Sequence, residues 1–458
     1  MNGASLKMMK LSLSAFRGIP GKLEFDLSSP MTLIYAPNGT GKTSFIDAAE
    51  WILTDEIRRM EKFAGKSARN EIRCKFSPES IATEVTAVLE LDDVRHDLFK
   101  TPRQWILHNA DTEHKTKKAI LKALAPNAAD DAADEAFAPA MRRIWLRGTR
   151  FLTESDLSIL IETDPDIHEE RRQILSDLMG ISELEYRANE FRKFAAYLKN
   201  GCNGEKGIAV IEKELTRKKQ DLLEPADDKP PATGDEEPAE ASLNALLHGM
   251  EKEKLRRETA AMEKHLTRLK AVRRTAEGAA KAFTEQGRRY CRWQKEGLSD
   301  VMFSIFARIH ANETFDFIKG GPEDDPFEWI AMAAGREYIT SRDFSMGQRQ
   351  DLALSIFLAK ARGIGGTFFL DEPMIRLDDL NRVALLDMFR MLIIEEGSRV
   401  HLVITTASRS LVRHFQEKFT NIPDRAGIPV LRVIELEGSA RDGVRSLQDL
   451  QAVSLTNR

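Results

Sequence analysis

The segment APNGTGKT, Ala36 to Thr43, carries the residue types that a phosphate ester needs. An apolar run, MTLIYA, leads into it and an amphipathic one, TSFIDAAEWIL, leads out, so it reads as a loop from a strand into a helix. Backbone N–H groups of Gly39, Thr40 and Gly41 would point at a β-phosphate, and glycine lets the backbone come close. Lys42 would neutralise the β- and γ-phosphates, and the Thr43 hydroxyl would ligate Mg²⁺. Asn38 and Ser44 flank these residues and belong to the same contact stretch. Ala36 replaces the first glycine of the usual pattern, which is tolerable where φ stays negative.

A second group lies more than 300 residues downstream. In TFFLDEP an apolar strand ends in Asp371 and Glu372. The first carboxylate would sit near Mg²⁺, and the second would orient or deprotonate an attacking water. Between the two groups, DFSMGQRQDL opens a helix whose apolar positions Leu352, Ile356 and Ala359 recur at helical spacing. Ser345, Gly347 and Gln348 at its start leave N–H groups facing outward, a place for an anion.

The elements that must carry these residues are α/β. KLSLSAF, KLEFDL and MTLIYA read as strands, and EVTAVLELD and QWILHN as a small antiparallel layer between Thr83 and Asn109. A further strand is expected near RRIWLRGTRFL, and helices from Glu154 to about Leu198. TFFLDEP and VHLVITTAS have the apolar character of central parallel strands. The 458 residues are 42% hydrophobic and 31% charged, with a net charge of −4, which fits a globular chain with long exposed helices and argues against a strongly basic coat protein. No apolar run reaches the roughly 18 residues of a membrane span, and the N-terminal stretch lacks a signal-peptide core. Cys74, Cys202 and Cys291 form no CxxC pair, so neither a disulfide framework nor zinc is expected, and a reducing cytoplasm fits best.

The middle of the chain changes character. Ile208, Ile211, Leu215 and Leu222 keep helical spacing, and Leu255, Met262, Leu269, Ala276 and Phe283 fall seven apart. Both stretches read as coiled-coil arms, although several intervening positions are polar and NGCNG interrupts the first. Between them PADDKPPATGDEEPAEA, rich in proline and acid, reads as a flexible tip. An antiparallel hairpin with arms of roughly 30 to 60 residues would project on the order of 45–90 Å. The other reading is an ordinary helical insertion packed on the main domain. The basic run KLRRETAAMEKHLTRLKAVRR suits a solvated coil face better than a track for a DNA backbone.

Phosphate loop, Ser-x-Gly-Gln turn, Asp-Glu after a strand, and LDDLNR from Leu377 follow the order of ATP-binding-cassette ATPases. More narrowly, LSLSAFRGIP before the phosphate loop, and FLTESDLSIL before ERRQILSDLMGI, resemble the SMC/RecF/RecN class. The resemblance implies an α/β head of two lobes split by a coiled-coil hairpin. The lobes would be residues 1–185 and 298–437, the hairpin 186–297 with its tip at 225–241, and 438–458 a polar tail. It implies ATP and Mg²⁺ as ligands, with Arg17 and Gly18 beside the nucleotide and Asp378 and Thr406 near the phosphates. Ser345 and Gly347 would act on ATP held by a second copy, giving an ATP-dependent homodimer.

Some positions depart from the class. Met346 stands where the signature often has glycine. Glu154 takes the place of the glutamine that binds Mg²⁺ and water, and Thr406 that of the switch histidine. These changes bear on hydrolysis rather than on binding. The class further implies DNA as a partner, in genome maintenance or antiphage defence, with a nucleoid-associated place in the cytoplasm. A different outcome is a slow-turnover, nucleotide-gated scaffold for a separate effector. A transporter subunit is disfavoured, because its motifs would lie in one compact domain without a coiled coil between them.

Overall fold

The computed structural model describes residues 5–61, 72–128, 138–162, 168–202, 205–223, 238–310, 314–321, 325, 327–423 and 427–448. The expected tip thus lies largely outside the described residues. The chain divides into two compact units, residues 1–183 with 288–458, and residues 184–287.

The first unit opens with β1 (Leu6–Phe16), β2 (Ile19–Asp26) and β3 (Met31–Tyr35), then α1 (Lys42–Thr54) and a short α2 (Arg58–Glu61). Strands β4 (Glu84–Leu91), β5 (Val94–Lys100), β6 (Trp105–His108) and β7 (Glu113–His114) join the first pair in an antiparallel sheet of order β2-β1-β4-β5-β6-β7. Then come α3 (Lys117–Leu124), α4 (Ala138–Arg150), β8 (Phe151–Leu152), α5 (Glu154–Ile161) and α6 (His168–Met179).

The second unit holds most of α7 (Ser182–Asn200), the hairpin β9 (Gly201–Cys202) and β10 (Glu205–Lys206), α8 (Ile208–Leu223), and much of α9 (Pro238–Ile309). Buried or half-buried positions along α9 run Thr259, Met262, Leu266, Leu269, Arg273, Ala276, Ala280, Phe283 and Gly287, alternating by three and four as a heptad seam requires. The sequence shows only every second of these, because the others include threonine, arginine and glycine. Ile208, Ile211 and Leu215 of α8 cluster with Leu266. Lys270 pairs with Glu212 and Lys219 with Glu263, both at 2.6 Å, so a rising number on α8 meets a falling one on α9 and the two run antiparallel. Ion pairs Arg257–Glu253 and Arg273–Glu277 occupy further cations of the basic run, as on a solvated coil face.

Back in the first unit, β11 (Phe317–Gly320), β12 (Trp329–Ala333) and β13 (Arg336–Ile339) make a small antiparallel sheet, and α10 (Thr340–Asp343) leads to α11 (Met346–Ile364). The chain closes with β14 (Gly366–Asp371), α12 (Asp379–Ile394), β15 (Val400–Thr406), α13 (Arg409–Phe419), β16 (Leu431–Ser439) and β17 (Gly443–Gln448). The central sheet has the order β17-β16-β3-β15-β14-β8, with β16, β3, β15, β14 and β8 parallel. It is buried on both faces. Leu33, Phe368, Leu370, Leu402 and Ile404 enter one core with α11, while Ile34, Phe369 and Val403 enter the other with Phe45 of α1. The period of two within near-continuous apolar runs explains why these strands read as central. Each such side chain contributes about 1.5–3 kcal/mol.

Two expectations are corrected. RRIWLRGTRFL is mostly helix, the end of α4, with only Phe151 and Leu152 in a strand. Its buried face carries Arg142, Arg147 and Arg150, which disguised the helical period. The polar tail expected from 438 instead includes β17, paired antiparallel with β16.

Candidate active site

Parallel strands β3, β14 and β15 all end at one edge of the central sheet, and the loops that follow them carry the chemistry. Beyond β3 the phosphate loop turns through Gly39 at φ 83° and Gly41 at φ 101°, both left-handed. A β-carbon at Gly41 would also press on Ile19 Cγ1 at 3.3 Å, so glycine is required there on two counts. Lys42 is buried at the start of α1; its Nζ donates to Ala36 O at 2.7 Å and Asn38 Oδ1 at 3.2 Å, and lies 3.4 Å from Glu372 Oε1. Thr43 is half-buried beside it. Ser44 Oγ accepts the Gly18 N–H at 3.1 Å, which fixes the β1–β2 turn against α1. The Thr40 hydroxyl closes the loop on Pro37 O at 2.7 Å.

At the end of β14, Asp371 is 4% exposed. Its Oδ1 accepts the Thr405 hydroxyl at 2.5 Å. Burial pushes this carboxyl up to about 6, with the charges of Glu372, Asp47 and Glu154 adding to the push and Thr405 opposing it. A buried carboxylate at this strand end, next to the Glu372 that Lys42 approaches, fits a hard divalent cation such as Mg²⁺. Glu372 follows with φ 48°, a strained value for a residue with a side chain, and its N–H donates to Thr405 Oγ at 3.2 Å. Burial raises its carboxyl too, while Lys42 and the Ala407 amide pull the other way. Asn38, Glu372, Thr405 and Thr406 line one cleft of about 640 Å³.

Other expected residues fall into place differently. Leu152 pairs with Leu370, so Glu154, exposed at the start of α5, lies just past the same strand end and its charge reaches both carboxyls. Thr406 is buried and accepts the Ser408 N–H at 3.1 Å. Asp378 caps α12 by accepting Asn381 N–H at 2.8 Å. The Arg17 guanidinium is turned to Asp47, with Nε 2.7 Å from Oδ2, and to Met60 Sδ at 2.7 Å.

The signature turn stands outside the cleft. Ser345 is exposed, and its hydroxyl and N–H form a capping box with Gln348: Ser345 Oγ accepts Gln348 N–H at 3.3 Å, and Gln348 Oε1 accepts Ser345 N–H at 2.9 Å. Gly347 leaves the helix start uncovered, since a β-carbon there would meet nothing nearer than Ser345 Oγ at 4.0 Å. Sequence reading missed Gln350, whose Nε2 donates to Pro373 O at 2.7 Å and ties α11 to the Asp-Glu turn. It also missed Thr405; the alternation of VITT could have shown that Thr405 and Thr406 face opposite ways, but not which one meets Asp371.

A left-handed glycine loop on a helix start, an Asp-Glu pair on the next strand but one, and a split by a coiled coil define a P-loop ATPase head of the SMC/RecF-like kind. The chain belongs to the AAA domain family, whose profile matches residues 10–270. Over 225 residues it is 24% identical to the chromosome partition protein Smc of Halobacteriovorax marinus, a match covering 46% of this chain and 17% of the relative's length. Among solved structures, the Smc head domain of Pyrococcus furiosus, with an extended coiled coil and bound to the C-terminal domain of ScpA, is similar in fold. The TM-score is 0.50 at 17% identity, covering 97% of this chain and 96% of that one. The Smc head of Pyrococcus yayanosii, with a coiled coil and joint, gives 0.50 at 16% identity over 97% of each chain.

Proposed function

We propose that the protein is a Mg²⁺-dependent ATPase whose two active sites are each completed by a second copy of the chain. The observation that carries this reading is the exposed capping box. With Ser345 Oγ accepting from Gln348 N–H, its proton is free to meet a γ-phosphate, yet Ser345 does not line the cleft that holds Asn38 and Glu372. Gly39, Thr40, Gly41 and Lys42 would hold the triphosphate, with Asn38 and Ser44 at the margins. Mg²⁺, held by Thr43 and Asp371 with Glu154 beside them, would neutralise charge on the phosphates. Glu372 would take the proton of the attacking water, a role its raised basicity suits. Asp378 and Thr406 would frame the γ-phosphate, and Gly18 would face the nucleotide. Arg17 would act there through Asp47. The kinship with a chromosome partition protein supports DNA as the partner, in genome maintenance or defence.

Glu372→Gln should bind ATP without hydrolysing it and run as a dimer on a sizing column, while Lys42→Ala stays monomeric and Ser345→Arg binds ATP but fails to pair. A Glu372→Gln protein that remains monomeric with ATP at micromolar concentration would overturn the reading.

A second reading is favoured by Glu154, whose negative charge opposes ionisation of both Asp371 and Glu372. It is a slow-turnover scaffold that ATP closes around a separate effector protein. Turnover that stays very slow when DNA is added would select it.

A further inference from the structure

The hydrogen-bond chain that ends at Ser345 begins outside the signature turn. His310 directly follows α9 and closes that helix by donating its own N–H to Phe306 O at 2.8 Å. Its imidazole is buried and stacks on the Phe306 ring, with centroids 5.4 Å apart. Nδ1 is 3.0 Å from Asp351 Oδ2 on α11, and Nε2 is 3.4 Å from Gln348 Nε2. Asn381 on α12 donates to the same Asp351 oxygen at 3.1 Å. Asp351 Oδ1, also buried, makes no hydrogen bond.

Chemistry fixes the protons in this chain. A carboxylate only accepts, so Nδ1 carries hydrogen and donates to Asp351. The amide nitrogen of Gln348 only donates, so Nε2 presents its lone pair. Gln348 is then held from both sides, its NH₂ on His310 and its Oε1 on the Ser345 N–H. The orientation of the signature cap thus depends on a neutral imidazole at the end of α9.

We propose that His310 is a positioning residue for Ser345: as the neutral Nδ1–H tautomer it locks Gln348, and Gln348 locks the turn that offers the Ser345 hydroxyl to phosphate. The proposal rests on the role given to Ser345 above. It carries a proton dependence. Hydrogen added at Nε2 sets a donor against the Gln348 amide donors, and the amide must turn its oxygen to the imidazolium. The Ser345 N–H then loses its acceptor and the cap opens. The charged groups around the site are Asp351, Asp378, which bears on Asp351 from the start of α12, and Arg308, which is turned to Met391 Sδ.

Two substitutions separate the halves of the imidazole. His310→Gln keeps an acceptor toward Gln348, and His310→Asn keeps only the donor toward Asp351. In the full chain, ATP-driven dimerisation of the Glu372→Gln protein should weaken on acidification, because a proton added at Nε2 removes the acceptor that holds Gln348. Adding His310→Gln should reduce that dependence, leaving the part that comes from the Asp371 carboxyl in the nucleotide site. Adding His310→Asn should weaken dimerisation roughly tenfold at every pH, the effect of one hydrogen bond, with ATP affinity unchanged. Equal behaviour of the two variants would overturn the proposal.

A readout without nucleotide keeps this test apart from that of the composite site. Long-range nitrogen spectra of histidine-labelled protein should show the Nδ1–H tautomer for a signal that His310→Asn abolishes. Amide exchange in the signature turn should be faster in His310→Asn than in His310→Gln. An Nε2–H tautomer, or equal exchange, would refute the positioning role even if ATP does join two copies. Failure of Glu372→Gln to dimerise at any pH, with tautomer and exchange as expected, would refute the composite site and leave the His310 clamp standing.

Discussion

The Thr405 hydroxyl donates to Asp371 Oδ1 at 2.5 Å, and Thr405 Oγ1 itself accepts the Glu372 N–H at 3.2 Å. One side chain on β15 therefore fixes both carboxylates at the end of β14, and register explains why: Thr405 lies opposite Asp371 in the parallel pair. Its removal leaves a buried acid without its donor and a strained Glu372 without its anchor. Thr405→Val should lower the ATPase rate by roughly 10- to 100-fold, the range for losing a hydrogen bond to a charged group. Thr405→Ser should restore most of it, and steady-state turnover with a separate nucleotide-binding assay will distinguish rate from affinity.

Asp371 gives a pH signature in protein freed of nucleotide and Mg²⁺. Its carboxyl is raised to about 6 in the fold against an ordinary value of 3.8. Between those values the native state holds a proton that the unfolded chain has released, so stability conferred by this group falls as pH rises through the window and then levels. Asp371→Asn removes this group's share of the slope, while other buried acids whose carboxyls are raised, such as Glu50 and Asp177, keep theirs. Urea melts from about pH 4 to 7 should show the variant gaining on the wild type up to about pH 6 and holding its lead above it. A difference that does not change with pH would count against this account.

Arg147 is the centre of a buried charge cluster. Its Nε lies 2.6 Å from Glu50 Oε1 on α1, and Nη2 lies 2.8 Å from Asp156 Oδ2 on α5. Arg58 reaches Asp177 at 2.8 Å on the far side. Removing the cation leaves Glu50 without its ion-pair partner and Asp156 with only Arg58, 3.8 Å away, so Arg147→Met should cost about 3–5 kcal/mol in unfolding experiments. Combining it with Glu50→Gln and Asp156→Asn should recover much of that loss, since the uncompensated charges then vanish.

Leu266 is the apolar centre of the α8–α9 contact. Leu266→Ala should destabilise that unit by about 2–3 kcal/mol while ATP hydrolysis without DNA stays nearly unchanged. Reversing the charges of Lys219 and Glu263 together should move the same melt by no more than about 1 kcal/mol, because exposed pairs contribute little. Helical circular dichroism and turnover on the same samples will check both.

The phosphate loop was readable because each of its requirements is local: left-handed glycines, a lysine and a hydroxyl at fixed spacing between a strand and a helix. The strand before Asp371 was readable for a similar reason, since a doubly buried strand has few polar residues to confuse it. What escaped depends on distant partners. Thr405 and Thr406 are adjacent and chemically alike, and only pairing with β14 tells them apart. The helix α4 was hidden because Arg142, Arg147 and Arg150 are buried, against the usual habit of arginine, and make its inner face look polar. Strand β17 has little apolar character of its own and exists through pairing with β16.

The bond from Gln350 to Pro373 O places the signature helix and the Asp-Glu turn on one lever. In the proposed dimer each copy lends Ser345 to one nucleotide and Glu372 to the other. A shift of the turn when one ATP is cleaved would then tug the grip on the second, and the two sites would work in series rather than side by side. Turnover should therefore rise with ATP more steeply than a single hyperbola. Gln350→Leu should flatten that curve toward independent sites while each site continues to bind.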